Sequence, residues 1–218
     1  KNLIDFGSGN GSTAFAFLKR KAKHVHLIDF GKKNIETSKY YAKKLNLIKK
    51  TSFQVADITK YSSKKKYDFV ICSAVLHHLL NKKVMEKTLN KIAQVCKDNA
   101  YFYVYVRGKG GMRYEIQDTC KDVFKDIDIG IIKRVLVDMN FSRAKITHLV
   151  DWHKAIYLQT SPKEFESMLK KSGFRSFKRL KGPHKNDLDI NQVNTHNYSN
   201  LKFGSGELRY LAKFTSSK

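Results

Sequence analysis

The sequence predicts a doubly wound α/β domain built on a parallel sheet, and three observations carry that expectation. Short β-like runs alternate with helical stretches through the first half of the chain, the order that gives parallel strands joined by right-handed crossovers. A glycine-rich bend, Gly7-Ser8-Gly9-Asn10-Gly11, separates the first strand from the first helix, as at the nucleotide-binding start of such folds. The run Phe69-Val70-Ile71-Cys72 is apolar without alternation, which suits a strand covered on both faces.

Asn2–Phe6 reads as the first strand, followed by a helix from about Ser12 to Lys21. His24–Asp29 is the second strand, and a helix from about Lys33 to Leu47 carries Ile35, Tyr40, Tyr41 and Leu45. Ser52–Val55 and Tyr67–Ser73 are the third and fourth strands. A helix from about Lys83 to Lys97 puts Val84, Leu89, Ile92, Ala93 and Cys96 on one stripe, and Tyr101–Val106 is the fifth strand.

Residues 108–157 then break the pattern as an insertion. Gly108, Gly110 and Gly111 open it as a hinge, and two helices are expected, about Tyr114–Lys125 and Ile129–Met139. Regular structure resumes at Ser161-Pro162-Lys163-Glu164, a capping box with proline at the first helical position. That helix stops at Gly173, and Phe174–Leu180 is a strand. Lys181–Gly206 is a long polar stretch of the kind that forms a lid or stays disordered, and Glu207–Phe214 is the final strand. The chain therefore reads as one domain. Residues 1–107 are a cofactor-binding half, 108–157 a helical substrate cover, and 158–218 a C-terminal helix and strand pair. Because Lys1-Asn2 runs straight into a strand, the chain reads as a trimmed fragment that has lost an N-terminal segment.

With 218 residues, 41% hydrophobic and 12% aromatic, the composition is that of a globular domain. No uncharged apolar run approaches the ~20 residues of a membrane helix. Cys72, Cys96 and Cys120 lie far apart with no CxxC pair, which excludes a zinc ribbon or disulfide scaffold and makes a reducing cytoplasm the expected location. No signal-like segment precedes the first strand. The net charge is +24, but 35 of the 43 basic residues are Lys and only 8 are Arg. Both halves of the chain share that charge, which favours a solvated, compositionally biased surface over a dedicated polyanion site.

The glycine bend departs from a dinucleotide fingerprint in two ways. The third glycine is Gly11, and Ser12 stands where GxGxxG requires glycine. Asp5 also sits at the end of the strand, aimed at the turn. At ~4 Å and an effective dielectric of ~20 a unit-charge pair is worth about 4 kcal/mol, so this carboxylate repels a pyrophosphate and favours a cofactor with a cationic amino-acid end. That points to S-adenosylmethionine rather than NAD. Asp29 ends the second strand, where a carboxylate can accept both ribose hydroxyls, the favoured reading over a helix N-cap or a surface charge. Asp57, in Val55-Ala56-Asp57-Ile58, can accept from an adenine amino group or simply form a turn.

Asp5-Phe6-Gly7-Ser8-Gly9-Asn10-Gly11, Asp29, Ala56-Asp57-Ile58 and the run from Tyr67 through His77-His78-Leu79 resemble class I S-adenosylmethionine-dependent methyltransferases, of the broad group whose fourth strand ends in a His-His-Leu-like turn. The resemblance covers residues 2 to about 107 and returns at Asp151-Trp152, Tyr157, Thr160, Glu164, Gly173-Phe174 and Gly206-Glu207-Leu208-Arg209-Tyr210. It implies a Rossmann-like sheet of seven strands, the last antiparallel between the fifth and sixth, with a helical insertion after strand five. It also implies a helix ahead of Asn2 that closes over the cofactor. The candidate cofactor set is Asp5, Gly7, Ser8, Gly9, Gly11, Asp29, Phe30, Asp57, Ile58 and Ser73. The segment Ser73-Ala74-Val75-Leu76-His77-His78 lacks the Asn/Asp-Pro-Pro-aromatic motif of amino-methylating nucleic-acid enzymes and the Pro-Cys nucleophile of cytosine-C5 enzymes. Cys72 reads as a small buried apolar residue.

Methyl transfer from a sulfonium needs alignment and, for a hydroxyl acceptor, a base. His77 and His78 are the candidates, His77 ahead; packing and turn-capping are the alternatives. Tyr105, Arg107, Asp151, Trp152, His153 and Arg209 are candidate substrate contacts, with Arg107 and Arg209 either holding an anionic group or pairing with acids. Trp152 either stacks on a sugar or base or plugs the core. No metal site is expected. The first expectation is methylation of a small-molecule or glycan acceptor. The second is a tRNA or other RNA acceptor, and the third a nicotinamide oxidoreductase or non-catalytic binding module.

Overall fold

The computed structural model describes residues 1–181 and 198–216. Its elements run β1 (Asn2–Phe6), α1 (Ser12–Lys19), β2 (His24–Asp29), α2 (Lys32–Lys44), β3 (Thr51–Val55), β4 (Tyr67–Ser73), α3 (Lys82–Gln94) and β5 (Cys96–Arg107). Three helices of the insertion follow: α4 (Met112–Val123), α5 (Ile129–Asp138) and α6 (Arg143–Lys154). Then come α7 (Pro162–Lys171), β6 (Phe174–Arg179), α8 (Ser199–Phe203) and β7 (Glu207–Phe214). The seven strands lie in the order β3-β2-β1-β4-β5-β7-β6. β1 to β5 are parallel, and β7 runs antiparallel between β5 and β6.

Strand alternation splits the core between two faces. Ile4, Phe6, Val70, Cys72 and Phe102 meet α3 and α7 through Leu89, Ile92, Phe165 and Leu169. Leu3, Val25, Leu27 and Ile71 meet α1 and α2 through Phe15, Leu18 and Ala42. Asp5 shares the Leu3 parity, so this carboxylate faces the α1–α2 side beneath the glycine bend.

The capping box forms as expected: Ser161 Oγ accepts from Glu164 N at 3.2 Å, and Glu164 Oε2 accepts from Ser161 N at 3.4 Å. The α3–β5 boundary differs from the expected one. Cys96 already pairs with Tyr67 in the sheet, so the helix stops at Gln94 and β5 begins there. The insertion holds a third helix, α6, whose N-cap Ser142 accepts from Lys145 N at 3.3 Å. Most of the polar stretch 181–206 lies outside the described residues, and its described end carries α8. The glycines that open the insertion serve close packing: a Cβ on Gly111 would meet the Phe203–Gly204 backbone, and one on Gly108 would meet Gly206.

Candidate functional site

The C-terminal ends of β1 to β4 open into a cleft of about 710 Å³, the position such sheets reserve for ligands. Gly7, Gly9, Asp29, Phe30, Asp57, Ile58 and His78 line it, joined by Asn34, Thr59 and Val75. Of the expected cofactor set, Asp5 and Ser8 are buried and do not line the cleft, and a Cβ on Gly11 would meet the Phe15 and Leu27 side chains. Ser73 ends β4 opposite Tyr105.

The bend is built on left-handed backbone at Gly7 (φ 67°), Gly9 (φ 53°) and Gly11 (φ 84°). At Gly7 a Cβ would drive into the Val75 side chain. Asp29 ties this bend to the start of α2. Its Oδ2 accepts from Gly9 N at 2.8 Å, and its Oδ1 accepts from Gly31 N at 2.8 Å and Asn34 Nδ2 at 3.0 Å. A carboxylate offers about four acceptor positions, so Asp29 keeps room for one further donor rather than the two expected of it. Asp57 Oδ1 closes its own turn on Thr59 N (2.8 Å) and Thr59 Oγ1 (2.7 Å). Phe30 stands 80% exposed on the cleft rim.

Beneath the bend, Asp5 is only 2% exposed and its Oδ2 has no partner among the described residues. Burial, and then the Asp29 charge, push its carboxyl up to about 8. Ser8 Oγ is likewise buried and unpartnered. Two unmet polar groups thus lie at the junction of β1 and the glycine bend.

The two histidines divide sharply. His77 is 3% exposed and does not line the cleft; His78 does. Their tautomers follow from their neighbours. Arg107 N donates to His77 Nδ1 at 3.1 Å, so the His77 proton is on Nε2. Ile156 O, 2.9 Å from His78 Nδ1, can only accept, so His78 carries its proton there. The remaining pair, His77 Nε2 to His78 Nε2 at 3.1 Å, is then donor to acceptor. Burial, then His78 and Arg107, hold His77 down at about 3, and burial lowers His78 as well. His77 therefore offers the cleft no free lone pair, which corrects the expectation that it leads. Ala74, on the cleft wall before this turn, carries φ 60°, a strained value for a residue with a side chain.

A family profile described as "Methyltransferase domain" matches residues 1–173. The chain belongs to this methyltransferase family. Among curated proteins, the methyltransferase is 27% identical over 213 residues to a ubiquinone biosynthesis O-methyltransferase of Pelagibacter ubique, covering 97% of this chain and 73% of that one. It is 34% identical over 93 residues to the protein of the same name in Rickettsia prowazekii, covering 43% of this chain and 35% of the relative. Among solved structures it is similar to the Burkholderia thailandensis 1,6-didemethyltoxoflavin-N1-methyltransferase, seen with S-adenosylhomocysteine (TM-score 0.60, 13% identity, 99% of this chain and 71% of that one). It is also similar to the N-methyltransferase NodS of Bradyrhizobium japonicum with S-adenosylhomocysteine (TM-score 0.58, 10% identity, 99% and 79%).

The methyltransferase keeps its expected substrate residues in two other places. Arg107 is buried and grips Asp118 with both terminal nitrogens, at 3.2 and 3.1 Å, its guanidinium 4.0 Å over the Tyr114 ring. Arg209 reaches Glu207 at 2.5 Å and covers the Tyr105 ring at 3.9 Å. Both arginines thus pair with acids, the second of the two expected readings, and lock β5 to α4 and β7. Asp151, Trp152 and His153 ride on α6; Trp152 and His153 line a separate cavity among the insertion helices, and Asp151 is exposed. Tyr157, stacked on His77 (5.7 Å) and edge-on to His78 (4.7 Å), belongs to the methyltransferase's site although no spacing singled it out as a site residue.

Proposed function

We propose that this chain transfers a methyl group from S-adenosylmethionine to a hydroxyl of a small-molecule acceptor, with the donor seated over the Gly7–Gly11 bend and the acceptor against His78. The observation that carries this reading is the buried, unpartnered Asp5 Oδ2 at the end of β1, with Ser8 Oγ likewise unpartnered in the bend that follows. A buried carboxyl there can ionise against a cationic amino-acid end, a partner that a pyrophosphate does not offer. Phe30 offers a stacking face, Asp29 its remaining acceptor position to the ribose, and Asp57 with Ile58 the floor for the base. When bound, S-adenosylmethionine supplies an electrophilic methyl group on a cationic sulfur.

The protein's own work is alignment and proton handling. An acceptor hydroxyl that displaces His77 from His78 Nε2 meets a neutral imidazole lone pair. Its proton passes to that nitrogen, while the Nδ1 proton stays on Nδ1, donated to Ile156 O, which stabilises the charge that develops on the ring. Leu158 N, bonded to His77 O at 2.7 Å, holds the 155–158 strap against the turn and shields the pair from water. O-methylation of a small molecule is the reaction class in the names of the Pelagibacter and Rickettsia relatives. The test is transfer of labelled methyl from S-adenosylmethionine to a panel of phenols and catechols. Transfer that vanishes in His78→Ala supports the reading; transfer only to amines, or none to any panel member, overturns it.

One observation favours the second reading, an RNA acceptor. Residues 19–66 carry fifteen Lys or Arg against three Asp or Glu, and none of those fifteen cations pairs with a described acid. Retention of tRNA at ~150 mM salt would favour it; loss by that ionic strength would dismiss it.

A further inference from the structure

The insertion helices form an open apolar cavity of about 400 Å³, separate from the cofactor cleft. Phe124, Ile132, Leu136, Met139 and Leu149 line it, together with Trp152 and His153. Around it α5 (Ile-Gly-Ile-Ile-Lys-Arg-Val-Leu-Val-Asp) buries none of its residues, and Ile131 and Val135, which also line the cavity, remain 45% and 49% exposed. Six aliphatic side chains on one ten-residue helix, with Ile131, Val135 and Val137 exposed, is a costly arrangement for a surface. Trp152 Nε1 is itself buried and has no hydrogen-bond partner among the described residues. An apolar hollow of this size suits a ligand with a hydrocarbon body.

The chamber is tethered to the cleft by a short piece of chain. His153 lines it, and Ile156, three residues on, holds His78 through its carbonyl. Three trans peptide units span at most ~11 Å between α-carbons. A single amphiphile can therefore reach from one to the other.

We propose that the insertion cavity binds the hydrocarbon chain of an amphiphilic methyl acceptor, whose hydroxyl-bearing head lies against His78. The proposal rests on the acceptor reading given above, and its test separates the two. Trp152 is the only tryptophan of the chain, so its fluorescence reports the cavity without any turnover. Titration of the whole protein with a series of n-alkanols, kept below their aggregation concentrations, is expected to shift Trp152 emission saturably. Affinity should rise roughly threefold to fourfold per added methylene and level off once the chamber is full. Ile132→Phe, which fills the chamber, should weaken dodecanol at least tenfold; Leu136→Met, close in volume, guards against a folding artefact and should bind as wild type does. A saturable shift absent from wild type, butanol binding as well as dodecanol, or Ile132→Phe binding unchanged would overturn the site. A shift with anionic vesicles but not with monomeric alkanol would overturn it in favour of a bilayer-docking face. Methyl transfer to alkyl-bearing phenols no faster, in kcat/KM, than to phenol itself would overturn the link to the acceptor. Chain binding with no transfer to any phenol would overturn the hydroxyl-acceptor reading and leave the cavity site supported.

Discussion

His77 donates from Nε2 to His78 Nε2 across 3.1 Å, with each ring's other nitrogen committed to the backbone, at Arg107 N and Ile156 O. This chain works in one protonation state only, because a proton added to either ring removes the acceptor its neighbour needs. The two histidines consequently have different jobs, and substitution separates them. His78→Ala should lower kcat about 100-fold or more, the usual range for a lost base, with donor affinity unchanged. Steady-state kinetics beside donor calorimetry would check it; turnover within threefold of wild type contradicts it.

His77 should register in stability. Its folded-state value is held down to about 3 against an ordinary 6.5, so its stabilising contribution is complete above about pH 6.5. It is lost as the pH falls towards 3, with a slope of up to about 1.4 kcal/mol per pH unit. Denaturant unfolding between pH 7 and pH 4 should show that decline, and His77→Gln should flatten it. An equal decline in both proteins would mean that other groups cause it.

Gly7 and Val75 make a steric pair. Gly7→Ala sets a methyl against Val75 and places a side chain at φ 67°. Donor affinity should fall at least tenfold. Adding Val75→Ala should restore part of it, leaving a residual backbone cost of about 1–2 kcal/mol. A double variant no better than the single one would show that the crowding is not what matters.

Asp29 anchors the bend through Gly9 N, Gly31 N and Asn34 Nδ2. Asp29→Ala leaves these donors without their acceptor and should cost about 2 kcal/mol or more in unfolding free energy even without donor present. An effect confined to donor affinity, with apo stability unchanged, would mean the carboxylate serves only the ligand.

The parallel half of the fold was legible because its signals are local. Leu3-Ile4, Val70-Ile71-Cys72 and the Ser161–Glu164 box each specify their element within a few residues. The places of Asp29, Asp57 and His78 on the cleft follow from the same regularity, since strand ends converge in such a sheet. What escaped, or stayed open as Arg107 did between an anionic ligand and an acid, was set by distant partners. Arg107 became a structural ion-pair residue because Asp118, on a helix of the insertion, reaches back to it. His77 lost its place in the cleft to a backbone N–H of β5. Trp152 belongs to a cavity formed by α4, α5 and α6, and only tertiary packing of the third, unforeseen helix creates it.

The most direct test is calorimetry of donor binding in two buffers of different ionisation enthalpy, at pH 7. Asp5 is held neutral by burial below about pH 8 and must ionise to meet a cation, so S-adenosylmethionine should bind with release of close to one proton. Affinity should weaken up to tenfold per unit of added acidity. Asp5→Asn should abolish the release and most of the affinity, while NAD gives no heat with either protein. Tight donor binding by Asp5→Asn, or heat with NAD and none with S-adenosylmethionine, would contradict the account.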